Sequence, residues 1–319
     1  MKGFMIIVVI LIIFANPIIT WHSLGHMLVA EIARERLLKS EPSAILWAEG
    51  VISSMRYFCG ENRHPFVESA PWADKIRQEG WTSMFNWHFN NRVYKDSKSV
   101  KKNYPNDLNQ SSESNNVIWS IKEMIKHLKT TTRFERGKTR PIIGQSFSLR
   151  NLIHFIGDIH QPLHSGTRVT PKYPNGDEGG NLFIIDHYGP EMGENANNLH
   201  FIWDHMFDQF DQDIRSPVSE DEFSKIQIYA KNITSEFSYE ELKNQMHRNP
   251  LPEDWANESF NIVASFVYKN IQENTSLSKD YISKGQFITR KRIALGGYRL
   301  ADTISYIFKE RNKRIGNRI

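Results

Sequence analysis

Apolar residues recur three and four positions apart along much of the chain, the spacing of helices that turn one face to a core. In HSLGHMLVAEIARERL, residues 22–37, the pattern ends in a basic turn. NNVIWSIKEMIKHLK at 115–129 repeats it. So do EDWANESFNIVASFVYKNI at 253–271 and GQFITRKRIALGGYRLADTISYIFKE at 285–310. Strict alternation is scarce. The best strand candidate is NLFIID at 181–186, directly after the Gly-rich YPNGDEGG. The polar stretch YKDSKSVKKNYPNDLNQSSES at 94–114 reads as a surface loop or insertion. No repeat and no dividing linker interrupts the pattern. The expectation is one mainly α domain over residues 21–319, with a small β-hairpin or strand region.

Residues 1–20 break from this pattern. Lys2 precedes an apolar run from Phe4 to Ala15, and Asn16-Pro17 follows. A bilayer span needs roughly 20 apolar residues, so the run fits a secretory signal better than a retained anchor. The expected cut is before Trp21. Export would place the protein outside the cell, or in a vacuole or lysosome reached through the secretory pathway. Asn109, Asn232, Asn257 and Asn274 each begin an Asn-x-Ser/Thr glycosylation pattern. The C-terminal KERNKRIGNRI is basic and offers no second span.

Composition narrows the physics further. The chain has 319 residues and a formal net charge of +4, too small for a polybasic tail. Cys59 is the single cysteine, so no intrachain disulfide forms even in an oxidising compartment. Stability has to come from packing, glycans or metal.

Metal is the reading favoured by NLIHFIGDIHQPLHSG, residues 151–166. This run otherwise reads as buried helix, yet it carries His154, Asp158, His160 and His164. His154 and Asp158 are four apart and share a helix face. LHFIWDH at 199–205 repeats that spacing with His200 and Asp204. Neutral imidazoles with carboxylates suit zinc. Asp74 in APWADKIR, His88 in NWHFNN and His26 in the first helix are further candidates. Taken singly, His88 and His26 read as packed core histidines, and Asp74 as a helix cap. His187 and His205 read as ordinary polar residues.

Taken together and in order, these segments resemble the class I nucleases. That family holds the fungal single-strand-specific zinc nucleases, the plant bifunctional nucleases and the trypanosomatid 3′-nucleotidase/nucleases. The resemblance rests on Trp21 with His26, WADKIR, WHF, HFIGDIHQPLH, GDEGGN, NLHFIWD, WANES and ALGGYRLA, from residue 21 to about 301. It implies a single helical domain of the phospholipase C type and three zinc ions. One ion would take Asp74, His88, His154 and Asp158. A second would take His26, Asp158 and the amine and carbonyl of Trp21, once a signal is removed. The third would take His164, His200 and Asp204. His160 is left as a histidine that supports the others.

The same resemblance implies hydrolysis of single-stranded RNA and DNA to 5′-phosphorylated products, and of 3′-nucleotides, by a monomer without a stable protein partner. Asp74 and Arg77 would be catalytic. Phe89 would stack a base, Asn91 would stand where the family often reads the base edge with Asp, and Asn181 would contact phosphate. Two alternatives remain: a phospholipase C-like lipid phosphodiesterase, and a non-catalytic secreted protein that uses zinc for stability.

Overall fold

Residues 22–95, 115–131, 141–186, 198–211 and 213–316 are described by a computed structural model. The expected signal, Trp21, Asn109, His187 and most of the 94–114 loop lie outside them. The helix α1 (Ser23–Ser40) runs through the middle of the molecule. Every residue from Leu24 to Ala33 is buried, so this helix is enclosed rather than one-sided. Its charged Glu31 is tolerated there because Arg34 donates to both carboxylate oxygens, at 2.7 and 2.8 Å. Against α1 pack α2 (Pro42–Ser53) and the single turn α4 (Pro65–Glu68), while the turn α3 (Arg56–Cys59) lies on α2 and α5 (Trp72–Gln78) follows α4 in the chain. The bundle continues with α6 (Val117–Thr130) and α7 (Pro141–Asp158). Its C-terminal half is α8 (Leu199–Asp204), α9 (Glu220–Glu236), α10 (Tyr239–Arg248), α11 (Pro252–Ile262) and α12 (Lys279–Gly316).

The longest contact is that of α1 with α12. It is possible because Gly297 carries no side chain: a Cβ there would stand 2.5 Å from Ile32 Cγ2. Helix starts follow local capping chemistry. Ser219 and Ser238 form capping boxes with Glu222 and Glu241 at the heads of α9 and α10. Asn198 caps α8 by accepting from Phe201 N at 2.8 Å. That cap fixes the start of the helix carrying His200 and Asp204.

From Ser148 to Thr167 every residue is buried. Leu152, Ile153, Phe155 and Ile156 on α7 belong to the main core. Leu199, Ile202 and Trp203 on α8 belong to a second apolar cluster with Phe207, Val263 and Tyr281. Burying a side chain such as Phe155 contributes about 1.5–3 kcal/mol, so both histidine-bearing helices are anchored by their apolar faces.

The β-structure differs from the expected strand. NLFIID forms no strand; Ile184 makes one antiparallel bridge to Asn198. Instead β1 (Arg92–Lys95) and β2 (Gly166–Val169) pair in parallel, with Arg92 opposite Gly166 and Lys95 opposite Val169. The pair is therefore not a hairpin. Its register is continued by Asn90 N donating to His164 O at 2.7 Å. The small sheet thus ties the segment after His88 to the segment after His164. No helix among the described residues is long and apolar enough to cross a membrane.

Candidate metal centre

Eight of the nine expected ligand residues lie among the described residues, and the fold gathers all eight. His26 comes from α1 and Asp74 from α5. His88 ends a 3-10 turn over Thr82–His88, and His164 ends another over Pro162–His164. His154 and Asp158 come from α7, His200 and Asp204 from α8. Each is buried.

Asp158 sits at the junction. Its Oδ2 lies 2.9 Å from His88 Nδ1 and 3.1 Å from His154 Nε2. Its Oδ1 lies 3.5 Å from His26 Nε2 and 3.4 Å from His164 Nδ1. Asp74 Oδ1 approaches both His88 Nδ1 and His154 Nε2 at 3.6 Å. On the far side, Asp204 Oδ2 is 3.2 Å from His200 Nε2 and its Oδ1 is 3.8 Å from His164 Nε2. Three groups have donor atoms within 4.8 Å of one another: His26, Asp74 and His154; His88, His154 and Asp158; His164, His200 and Asp204.

Backbone carbonyls orient three of the rings. Nδ1–H of His154 donates to Ala70 O at 2.8 Å, that of His164 to His88 O at 3.0 Å, and that of His200 to Gly179 O at 2.8 Å. Each bond fixes the tautomer and turns an Nε2 lone pair toward the carboxylates. The His26 ring stacks on His154 at 3.8 Å between centroids.

The electrostatics call for a cation. Burial pushes Asp158 well above the usual carboxylate range, raises Asp204, and carries Asp74 to about 7. Burial likewise drives His26, His88 and His164 well below the ordinary imidazole value and lowers His154. Among the described residues, the buried atoms His164 Nε2 and Asp158 Oδ1 have no hydrogen-bond partner. Leaving such atoms unsatisfied costs about 1–3 kcal/mol each. A tetrahedral ion bonded at about 2 Å would hold its donors about 3.3 Å apart. The observed separations bracket that value, so nitrogen and oxygen donors in this arrangement fit more than one divalent ion.

The other expected residues occupy distinct places. Arg77, one turn after Asp74, is buried, with Nη2 3.6 Å from Asp74 Oδ1. Phe89 is 6% exposed and packs on His164 at 4.8 Å between centroids. Asn91 is exposed. Asn181 is half-buried and donates through Nδ2 to Glu178 O at 2.8 Å. His160 stands outside the cluster. Its Nδ1–H donates to Ile156 O at 2.7 Å, which leaves Nε2 to accept from Arg299 at 2.8 Å.

Three supporting residues escape the sequence reading. Gln161 donates through Nε2 to Asp204 Oδ1 at 2.7 Å while its Oε1 accepts from Leu163 N at 2.6 Å. Asp177 accepts from Arg168 N at 2.9 Å and Gly180 N at 3.1 Å, holding the loop whose Gly179 carbonyl orients His200. Gly157 gives His26 room against α7. Their positions inside HFIGDIHQPLH and GDEGGN were visible, but their partners are distant in sequence. His205, an ordinary polar residue by sequence, is buried, with its ring 4.6 Å from that of His22.

Comparison with known proteins gives one consistent result. A family profile described as S1/P1 Nuclease matches residues 21–309. Endonuclease 4 of Arabidopsis thaliana is 27% identical over 322 residues, covering 97% of this chain and 96% of that protein. Nuclease P1 of Penicillium citrinum is 25% identical over 301 residues, 90% of this chain and 97% of its own length. Nuclease S1 of Aspergillus oryzae is 26% identical over 307 residues, 90% of this chain and 91% of its own.

Proposed function

The chain belongs to the S1/P1 nuclease family, and from that premise we propose that it is a secreted, zinc-dependent endonuclease of single-stranded RNA and DNA. Its products carry 5′-phosphates, and it also removes phosphate from 3′-nucleotides. The observation that carries this reading is the convergence of three buried His/Asp groups around Asp158. Asp74, His88, His154 and Asp158 would hold one ion, and His164, His200 and Asp204 another. Removal of residues 1–20 would free the Trp21 amine to join His26 and Asp158 at the third.

Bound zinc supplies a Lewis acid that withdraws charge from phosphoryl oxygens and brings the pKa of water toward neutrality. The chain's own groups do the rest. Asp74 orients the attacking water and accepts its proton. Arg77, held by Asp74, presents a guanidinium fork to a non-bridging phosphate oxygen. Phe89 walls the base pocket, Asn91 offers amide donors and an acceptor to a base edge, and Asn181 contacts phosphate at the rim of the Gly-rich loop. A duplex hides its base faces, so a site that grips bases favours single strands.

The test is incubation of the processed protein with single-stranded RNA and DNA, duplex DNA and phosphatidylcholine liposomes, with end-group analysis. The expected result is cleavage of single strands to 5′-phosphate ends with duplex and lipid spared. Hydrolysis of lipid alone, or of none of these, overturns the proposal.

A further inference from the structure

Phe89, the residue expected to stack a base, is 6% exposed, whereas Phe85, one turn earlier, is 37% exposed. The two rings meet at 5.7 Å between centroids. Phe85 and His88 are three apart in a 3-10 turn, where such residues lie on one side. The ring contacts therefore run outward in order: His164, then Phe89 at 4.8 Å, then Phe85, then solvent. The Arg77 guanidinium lies over the Phe85 ring at 5.6 Å, and the same guanidinium approaches Asp74 at 3.6 Å. A phosphate bound at Arg77 would thus lie beside a partly exposed aromatic ring.

We propose that Phe85 is a specificity-determining residue that stacks a nucleobase of the single strand whose phosphate lies at Arg77, with Phe89 backing it from within. The inference rests on the nuclease reading. An exposed phenylalanine alone would carry no weight, since single exposed apolar residues are common. Here the ring is propped by a buried aromatic, flanked by a buried cation, and carried on the turn that delivers His88. Phe58 offers the contrast: it is 89% exposed on α3. Stacking tolerates every base, so Phe85 sets affinity for unpaired bases and not for a particular sequence.

The experiment compares a dinucleoside monophosphate with an abasic dinucleotide of the same backbone. It uses the processed, metal-loaded protein and its Phe85→Leu, Phe85→Trp and Phe58→Ala variants. Leucine keeps apolar packing on Phe89 but removes the aromatic face. The readout is the ratio of kcat/KM for the base-bearing substrate to that for the abasic one. The expected result is a fall in that ratio of roughly 5- to 150-fold in Phe85→Leu, entered through KM, from the worth of one base stack. Phe85→Trp restores the ratio and Phe58→Ala matches the parent. An unchanged ratio in Phe85→Leu overturns the inference while leaving the nuclease reading intact, as does an equal loss on both substrates. A parent protein that cleaves neither substrate overturns the nuclease reading, and this inference with it.

Discussion

Gly157 and His26 are fitted to each other: a Cβ on Gly157 would stand 2.5 Å from His26 Nδ1 and 3.0 Å from its Cε1. The bare backbone at this point of α7 lets the α1 histidine lie within 3.5 Å of Asp158. Gly157→Ala must displace the imidazole or part the two helices. Overpacking of this kind costs about 1–3 kcal/mol. The variant is expected to melt earlier and to lose one metal equivalent per chain, with at least tenfold lower hydrolysis. Thermal melting with elemental analysis checks this; normal metal content would remove His26 from the centre.

Gln161 bridges the turn after α7 to α8 by holding Asp204 Oδ1. Gln161→Leu keeps the volume but leaves that carboxylate unoriented. Loss of such a supporting bond typically weakens metal binding by about 10–100-fold. Competition with a chelator of known affinity should show that loss for one ion, that of His164, His200 and Asp204.

Glu258 joins the turn to α12. It accepts from Arg292 Nη1 at 2.6 Å and from Arg299 Nη1 at 2.8 Å, while Arg299 also donates to His160. Burial pushes its carboxyl up, but the Arg299 hydrogen bond and both guanidinium charges hold it well below the usual carboxylate range. This stability is full above the unfolded carboxyl's pKa and is lost as pH falls through the folded value. Glu258→Gln leaves two buried cations without their counter-charge. A loss of about 3–5 kcal/mol is expected, measurable by urea unfolding at neutral pH. A loss below 1 kcal/mol would mean the arginines find other partners.

His205 sets an acid limit of its own. Burial lowers its pKa to about 4, and burial with the charges of His205 and Arg215 lowers His22 to about 3. A depressed imidazole contributes stability that is complete above its unfolded pKa, near 6.5, and is lost as pH falls through the folded value. Folding free energy should therefore drop between pH 6.5 and 4, by about 3 kcal/mol from His205 alone. Unfolding of the metal-depleted His205→Gln variant across that window should show a shallower decline. An identical slope would mean that His205 titrates normally.

The sequence made the helical character and the ligand-type residues legible because both are local or motif-borne. The repeated HxxxD spacing on two helices was one such signal. The enclosure of α1 was not legible, since apolar periodicity does not distinguish a one-sided helix from one packed all round. The strands at Arg92–Lys95 and Gly166–Val169 were missed for a different reason. Each has four residues and no alternation, and their pairing spans more than seventy positions. NLFIID is a short apolar run after a Gly-rich loop, but among the described residues it finds no neighbouring strand and makes only the bridge from Ile184 to Asn198. Gly157, Gln161 and Asp177 sit inside the motifs, and only their distant partners reveal what they hold.

The central claim is that the Asp158-centred cluster is a multi-metal centre for phosphodiester hydrolysis. Its most direct measurement is elemental analysis of the processed protein together with cleavage of single-stranded RNA, before chelation, after it, and after zinc is returned. The predicted result is three zinc ions per chain, no cleavage once they are removed, and recovery on their return. Undiminished cleavage by metal-free protein, or full zinc occupancy without any cleavage of RNA, DNA or 3′-nucleotides, would contradict it.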